Sequence, residues 1–361
     1  MATMIDPANR AFLTTQIREV RGWAGRSAGQ FTVAVIYGGV SAEDQFYIAK
    51  SPPEQLSITA LSGVLTELGV RFAVLDPCRP EFIAELAGFD VALPNLHGPF
   101  GEDGRLQGLL DYLRTPYCGS GVAASSIAAD KILCKQMMQA LGIPTPAWRT
   151  CPGPAATWPG HPVMVKPRMG GSSVGISLAR DQHDLPAALA LAETGDPPGV
   201  LVEDYVPGLP VTVGLLELPG GVLVLPPLAT RVDGAEFYDA AAKLGAGDGS
   251  TVWYGHAALP EPALTAVTTH ALALWDGLGC RGMARADFIV TEPGGVFALE
   301  LNTIPGMSYE SNFMTAAGLC GLPPADVVAA ILHEALSRPR YDAPLPVPAF
   351  TTRPDRKSAP R

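Results

Sequence analysis

The chain has little charge and very little lysine. Charged residues make up 17% of its 361 residues, and only six of its 25 basic residues are lysines. The balance is acidic, with a formal net charge of −10 and a sequence pI near 5.1. Proteins that bind nucleic acid need a basic face for the phosphates, so this composition argues against a nucleic-acid partner. Hydrophobic residues reach 47%, which excludes disorder for the bulk of the chain.

Signals of secreted, membrane-spanning and zinc-binding proteins are also missing. Six scattered cysteines form no CxxC pair, which predicts reduced, mostly buried thiols and neither disulfides nor zinc ligands. No unbroken apolar run is long enough to span a bilayer. Charged residues such as Asp6 and Arg10 interrupt the region where a signal peptide would lie. The sequence therefore predicts a cytoplasmic protein with no membrane partner.

Strand and helix patterns alternate along the chain and predict an α/β protein of several domains. The segment "FTVAVIYGG" (31–39) is typical of a buried strand that ends in a Gly-rich turn, and 56–70 has the apolar spacing of a helix. A short helix from Phe12 to Trp23 is predicted outside the main fold. The predicted division is an N-terminal extension at 1–29, an α/β substrate domain at 30–127, a central unit at 128–210, a C-terminal unit at 211–338 and a flexible tail at 339–361.

The common nucleotide-binding motifs are absent or weak. No GxxxxGK[ST] is present, which excludes a P-loop. The stretch "GSGVAA" (119–124) fits GxGxxA, but no acidic residue ends the next strand as a dinucleotide fingerprint requires. A tight turn before a helix is the better interpretation, and an oxidoreductase is disfavoured.

One lysine stands in a context that favours phosphate binding. Lys166 ends the apolar run "VMVK" and precedes the loop "PRMGGSS", which contains Ser172 and Ser173. Glycines allow close backbone approach, and free N–H groups and hydroxyls can hold an anion beside an ammonium. The other lysines are more often solvated surface residues. The pattern 162–177, strand, loop and strand, predicts a β-hairpin whose loop we call the flap (168–176).

Two apolar segments near the C-terminus predict a hairpin that carries oxygen ligands. The segments "ARADFIV" (284–290) and "VFALELN" (296–302) flank the turn "TEPGG". Folding the chain about this turn brings Asp287 roughly opposite Glu300, and alternation adds Arg285 and Asn302 to the same face. Two carboxylates and an amide form an all-oxygen set, which Mg²⁺ prefers. Without a cation, crowding two acids on an apolar hairpin would be costly, so the sequence predicts a metal site.

Several motifs, in their order along the chain, resemble the ATP-grasp enzymes and, among them, the D-alanine–D-alanine ligases. The resemblance covers about residues 31–335 and implies three domains, an N-terminal open α/β domain followed by two mixed α+β domains that sandwich ATP. It also implies a homodimer and two Mg²⁺ ions, for which Mn²⁺ could substitute. The motifs are "YGGVSAE", "HGPFGEDGRLQG", "PYCGSG…ADKILCK", "KPRMGGSSVGIS", "FYDAAAK", "RADF" and "ELNTIPGMS".

The resemblance also implies a role for each matching residue. Glu43 would pair with the ammonium of the first amino acid, whose end of the site holds His97, and Ser311 would seat the carboxylate of the second. Arg285 and the Gly306 N–H would stabilise oxyanion charge, and Ser172 would lie in the flap. Asp287, Glu300 and Asn302 would bind the metal ions. The implied nucleotide-binding residues are Lys131, Lys166, Ser173, Glu203 and, on a closing loop, Lys243.

The implied reaction is ATP-dependent joining of two D-alanines, as in peptidoglycan precursor synthesis. A carboxylate would attack the γ-phosphorus, and the acyl phosphate would then react with an amine, so positioned charge is needed and no nucleophilic side chain is. A nucleotide-binding regulatory protein without catalysis is disfavoured because all three metal ligands are present.

Three positions depart from the family pattern. The segment "DQFYIAKSPP" (44–53) intervenes after "SAE", so Glu54 competes with Glu43 for the ammonium, and we favour Glu43 for its GGxSxE context. Leu244 stands where a tyrosine usually follows the loop lysine, and Pro210 replaces a glutamate that often holds the ribose. The first two departures affect amino-acid recognition. A related ligase of specialised metabolism or resistance, joining a different amino or hydroxy acid, is therefore the alternative.

Overall fold

A computed structural model describes residues 7–151, 157–171, 174–193, 198–232, 252–292 and 294–341 of the chain. Four residues discussed above, Ser172, Ser173, Lys243 and Leu244, lie outside the described residues, and so does most of the predicted tail. Within the described ranges the architecture is mixed α/β, with three sheets. The domain boundaries given above remain predictions.

The first sheet is parallel and has the strand order β2-β1-β3. Its central strand is apolar and almost wholly buried because both faces are covered, which agrees with the prediction for "FTVAVIYGG". The strands are β1 (Thr32–Ile36), β2 (Arg71–Leu75) and β3 (Val91–Pro94). The helices of this part are α2 (Ala42–Lys50), α3 (Ser57–Glu67), α4 (Phe82–Leu86) and α5 (Arg105–Tyr112).

The second sheet is antiparallel and has the order β4-β7-β5-β6. Val165 pairs with Ser177 across β5 and β6, so the predicted strand, loop and strand around the flap are confirmed. One helix packs against this sheet and helps to cover its apolar residues. The elements are β4 (Trp148–Cys151), β5 (Val163–Pro167), β6 (Ser177–Ala179), α8 (Leu185–Ala192) and β7 (Val200–Asp204).

The third sheet has the order β11-β10-β8-β12-β13, with β9 paired to β8 outside that path. One long helix, α9 (Glu261–Leu278), packs its apolar face against it. Pro210 lies in β8 opposite Ile289. The strands are β8 (Leu209–Leu218), β9 (Gly221–Val224), β10 (Leu228–Val232), β11 (Val252–His256), β12 (Met283–Val290) and β13 (Val296–Asn302).

The helix that the sequence predicts over 128–142 is confirmed but begins at Lys131, and a second helix ends just before Asp130. They are α6 (Val122–Ala129) and α7 (Lys131–Ala140). The Asp130 carboxylate caps α7 by accepting hydrogen bonds from the N–H groups of Ile132 and Leu133 at 3.0 and 3.2 Å. Both helices pack into the core of the third sheet. This cap fixes the start of α7, so that Lys131 is its first residue.

The N-terminal helix is longer than predicted and belongs to the main body. It is α1 (Pro7–Ser27), and it packs on the last helix, α11 (Pro324–Ser337), while α10 (Asn312–Leu319) contacts both the third sheet and α11. Leu13, Ile17 and Val20 fall on one helical face and are buried in the largest core cluster. The prediction of a short helix outside the main fold was wrong. The three apolar residues have helical spacing, but the segment around them is polar and has a low mean hydropathy.

Helix α1 is expected to contribute to the stability of the whole chain. An Ile17→Ala variant removes buried apolar contacts and should lower the free energy of unfolding by about 2–5 kcal/mol, measured by thermal or urea unfolding. The matched control is Thr15→Ala on the exposed face of the same helix, which should change it by no more than about 0.5 kcal/mol. Equal effects of the two variants would contradict the packing described here.

All six cysteines are free thiols, five of them buried and Cys78 exposed, as predicted. Among the described residues, no single helix is both long and apolar enough to cross a bilayer. Helices α10 and α11 would pass that test only as a pair, and they meet at a bend of 104°.

Candidate active site

The hairpin of β12 and β13 places the predicted acids together, and a β-bulge is the reason. Val290 pairs with Val296 and Phe288 with Ala298, but Asp287 pairs with Glu300, so the register shifts by one residue at Leu299. Without the shift, Leu299 would stand opposite Asp287 and Glu300 would follow Val296 and Ala298 onto the buried face. The bulge reverses the alternation. The predicted pairing of Asp287 with Glu300 is confirmed, and Arg285 and Asn302, predicted on the same face, also pair with each other.

Arg285 and Asp287 form a bidentate ion pair on the partly open face of β12. The guanidinium contacts the carboxylate with N–O distances of 2.8, 3.0 and 3.2 Å. Thr212 of β8 donates its hydroxyl to the same carboxylate. Burial lowers the pKa of Arg285, but the charges of Asp287 and Glu300 outweigh it, so its pKa lies above the usual value. The arginine is a fixed cation beside the two acids.

The oxygen set fits a hard divalent cation. Asp287 and Glu300 are directly opposite each other, and the Asn302 side-chain oxygen accepts a hydrogen bond from the Ile304 N–H at 2.8 Å, which fixes the amide. Among the described residues, no three His, Cys, Asp or Glu side chains gather as a metal site. The candidate set is therefore two carboxylates and one amide, all oxygen donors, which suits Mg²⁺ completed by substrate phosphates and water.

A buried charge cluster lies at the centre of the second sheet. Glu203 of β7 is 2% exposed and makes ion pairs with Lys135 at 2.8 Å and with Lys166. Burial raises the pKa of Glu203, but the two ammonium groups outweigh it and bring its pKa down to about 2. The pKa of Lys135 is lowered, since burial dominates there. Two of the six lysines thus converge on one carboxylate, which keeps both ammonium groups at a defined place inside the protein.

Lys131 ties helix α7 to the flap. Its ammonium donates to the Gly170 carbonyl, and its backbone N–H donates to the Arg168 carbonyl at 3.0 Å. Arg168 in turn makes an ion pair with Asp130 at 2.7 Å. The side chain of Lys131 is 6% exposed. The lysine therefore lies at the root of the flap, where a phosphate held by the flap N–H groups would meet it.

Glu43 lies between the first sheet and the flap. It is 6% exposed, and its carboxylate accepts a hydrogen bond from the Gly171 N–H at 3.1 Å. Gly98 and Gly170 both have positive φ, and a Cβ there would come within 2.6 and 2.9 Å of the Glu43 oxygens. Only glycine allows this close approach. The competing acid, Glu54, lies exposed in the short 3-10 turn Pro53–Gln55, so the geometry favours Glu43.

His97 and Glu102 adjoin Glu43. Burial lowers the pKa of His97, but the hydrogen bond to Asp44 and the charge of Glu102 outweigh it, so the pKa of His97 is raised. Burial raises the pKa of Glu102 to about 7, and the charge of Glu43 adds to the shift. Arg285 acts on both groups electrostatically. Arg285 of the hairpin therefore lies within electrostatic range of both groups.

The turn after β13 brings Gly306 and Ser311 together. A Cβ at Gly306 would lie 3.8 Å from that of Ser311, whose hydroxyl caps α10 by accepting from the Met314 N–H at 3.3 Å. The Met307 N–H donates to the Ser57 hydroxyl at 3.2 Å, which links this turn to the start of α3. The substrate positions predicted on the turn thus adjoin the first sheet's helices.

Sequence reasoning missed three charged residues that the site contains. Lys135 lies in the quoted motif "ADKILCK", four residues after Lys131 and hence on the same helical face. Glu102 lies in the quoted motif "HGPFGEDGRLQG", and Asp44 opens the extra segment after "SAE". Ser172, Ser173 and Lys243 remain predictions because they lie outside the described residues.

Comparisons with known proteins match most of the chain. The family model described as the D-ala D-ala ligase C-terminus matches residues 137–333, and the one described as the D-ala D-ala ligase N-terminus matches residues 71–120. A D-alanine–D-alanine ligase of Syntrophotalea carbinolica is 38% identical over 313 residues, covering 86% of this chain and 97% of the relative. One of Gloeobacter violaceus is 38% identical over 299 residues, covering 79% and 96%.

Solved structures of similar proteins have the same fold. The D-alanine–D-alanine ligase of Bacillus anthracis complexed with ATP superposes with a TM-score of 0.70 at 26% identity, covering 85% of this chain and 98% of that one. The D-alanyl-alanine synthetase A of Vibrio cholerae gives a TM-score of 0.72 at 22% identity, covering 85% and 99%, and speaks for the fold alone. The expected ATP-grasp architecture is confirmed.

Proposed function

The chain belongs to the D-alanine–D-alanine ligase family, and from that membership we propose that it joins two D-alanines to give D-alanyl-D-alanine, ADP and phosphate. The observation that supports this most directly is the site itself. Asp287 and Glu300 face each other beside a fixed Arg285, while Glu43 lies buried under the flap. This combination offers one place for nucleotide phosphates and another, close by, for an amino-acid ammonium.

The first step is transfer of the γ-phosphoryl group to a carboxylate. A carboxylate oxygen of the first D-alanine attacks the γ-phosphorus, the bond to the bridging oxygen breaks, and ADP leaves. Lys131 and Lys166 would hold phosphate oxygens, and Glu203 would contact the adenine side. Asp287, Glu300 and Asn302 would hold two Mg²⁺ ions, which supply charge neutralisation at the phosphates. The protein's contribution is positioned charge, since no side chain forms a covalent bond.

The second step forms the peptide bond. The amine of the second D-alanine attacks the acyl carbon, the tetrahedral oxyanion collapses, and phosphate leaves while the amine loses its proton. Arg285 and the Gly306 N–H would stabilise the oxyanion. Glu43 would pair with the first ammonium, with His97 beside it, and Ser311 would seat the second carboxylate. The flap, with Ser172 and Ser173, and the loop that carries Lys243 would exclude water from the acyl phosphate.

We also propose a cytoplasmic homodimer that takes part in peptidoglycan precursor synthesis, with neither nucleic acid nor a membrane as a partner. The family membership supports the homodimer and the role in peptidoglycan precursor synthesis. The cytoplasmic location is supported by the ADP-forming reaction, which consumes ATP. The alternative is a related ligase that joins a different amino or hydroxy acid. It is supported by Leu244 in place of tyrosine and by the extra segment 44–53, which forms most of α2 beside the predicted amino-acid site.

The experiment that tests the function is ADP release in the presence of Mg²⁺ with a panel of acceptors and donors. D-alanine alone should support turnover, and the product should be the dipeptide by mass spectrometry. D-serine, D-lactate and L-alanine, each alone and each with D-alanine, are the comparison. Turnover that requires one of these in place of the second D-alanine would select the alternative. ATP binding without turnover on any of these substrates would overturn the proposed ligase function.

A further inference from the structure

The segment that sets this chain apart from its family, residues 44–53, begins at a carboxylate that holds His97. Asp44 is 2% exposed, although an acid in the first turn of a helix usually lies in solvent. Its carboxylate accepts from the His97 backbone N–H at 2.8 Å and lies 3.3 Å from the His97 Nδ1. One carboxylate oxygen therefore contacts both the backbone and the ring of the same residue.

A second set of contacts closes around the same histidine. Ser41 donates its hydroxyl to the His97 carbonyl at 2.6 Å and accepts from the Asp44 N–H at 2.9 Å. The ring of Tyr47, one helical turn after Asp44, lies 5.7 Å from the His97 ring. His97 is thus fixed at its N–H, its carbonyl and its ring by three residues in and just before α2. A helix held only by packing would not need this arrangement.

We propose, on the basis of the proposed ligase function, that Asp44 is a positioning residue for the first amino-acid substrate. By holding Nδ1, it leaves the Nε2–H of a charged His97 to donate to the substrate carboxylate. Among the residues that the structure describes, Nε2 has no hydrogen-bond partner, and the His97 side chain is 20% exposed. The extra segment would then shape the first-substrate end of the site.

The charges around His97 agree with this role. Asp44 and Tyr47 face it from α2, Glu102 faces it from the loop after β3, and Arg285 acts on it from β12. The two acids outweigh the arginine and the effect of burial, so His97 carries its proton to higher pH than usual. Removing the charge of Asp44 should therefore lower the pKa of His97 and make its protonation more sensitive to neutral pH.

The decisive variant is Asp44→Asn, which keeps an acceptor of the same size and removes the charge. In the full-length protein, the His97 Cε1–H signal, assigned as the one lost in His97→Gln, should titrate about one pH unit lower in Asp44→Asn. The matched control is Asp90→Asn, another carboxylate that accepts a backbone N–H, from Thr32 at 2.8 Å. It should leave the His97 titration unchanged. An unchanged His97 titration in Asp44→Asn would overturn the proposal, whether or not the protein turns over D-alanine.

Kinetics then test the substrate half of the proposal. Fitting D-alanine saturation to two sites should show the KM of the first site raised about tenfold in Asp44→Asn, with kcat and the second KM within about twofold. The double variant Asp44→Asn/His97→Gln should be no worse than His97→Gln alone, because the carboxylate acts through the imidazole. If the effects of the two substitutions on the first KM multiply, or if the first KM is unchanged in Asp44→Asn, the proposal is overturned. Failure of the ligase function would instead show as no turnover in the parent protein.

Discussion

A Glu300→Gln variant is expected to release ADP in the presence of D-alanine at least about a hundredfold more slowly than the parent. The substitution keeps the size of the side chain and one oxygen, so the cross-strand position opposite Asp287 is retained. It removes the negative charge with which the carboxylate would hold a divalent cation. The Mg²⁺ concentration for half-maximal rate should rise at the same time. Steady-state ADP release over a Mg²⁺ titration measures both effects.

The matched control for that experiment is Glu261→Gln, which removes a charge of the same kind from the exposed start of α9. Its ADP release should equal that of the parent. Thermal unfolding of both variants should show that the fold is retained, since Glu300 lies at a partly exposed position of β13. A Glu300→Gln variant with the parent's rate would remove the hairpin from the proposed mechanism.

The second large effect is on stability, and Glu203→Ala should produce it. The variant leaves the ammonium groups of Lys135 and Lys166 in the interior with no carboxylate between them. Removing one partner of a buried ion pair costs about 3–5 kcal/mol, because the remaining charge has lost its compensation. Differential scanning calorimetry should show a loss of roughly 10 °C in the melting temperature. The control Glu193→Ala, exposed at the end of α8, should change it little.

A double variant tests whether the loss of stability comes from the broken ion pairs or from the uncompensated ammonium groups that remain. Adding Lys135→Met to Glu203→Ala removes one of the two uncompensated ammonium groups and should restore part of the melting temperature. A double variant less stable than Glu203→Ala would contradict this explanation.

The pH dependence of the contribution that Glu203 makes to stability follows from its carboxylate. Because the pKa of Glu203 is lowered to about 2, its contribution is complete above the ordinary glutamate pKa and is lost as the pH falls through the folded value.

Much of the site could be predicted because its chemistry depends on local patterns. Turn residues stand next to apolar runs in "FTVAVIYGG", around "TEPGG" and in the flap segment. The strand β1, the hairpin of β12 and β13 and the pairing of β5 with β6 form as predicted. The same holds for the turn before α6, where Gly119 has a φ of 91°. Glycine and proline mark such turns directly in the sequence.

What the sequence did not reveal depends on tertiary contacts. Among the side chains of α1 that the structure describes, three apolar residues are buried, and the helix packs on α11 at the other end of the chain. Lys135 is buried and Glu102 is half-buried, and neither residue type by itself distinguishes such a charge from a solvated one. Their burial follows from strands and loops that are distant in the chain.

The bulge at Leu299 has a consequence for how the hairpin can vary among related chains. The number of residues between the turn and Glu300 decides whether a bulge is needed, because a chain with one residue fewer would pair in a regular register and still place that acid opposite Asp287. Replacing Leu299 by another side chain leaves the count intact. One further residue here, harmless in most surface hairpins, would place that acid on the buried face and separate the two acids as completely as mutating one of them.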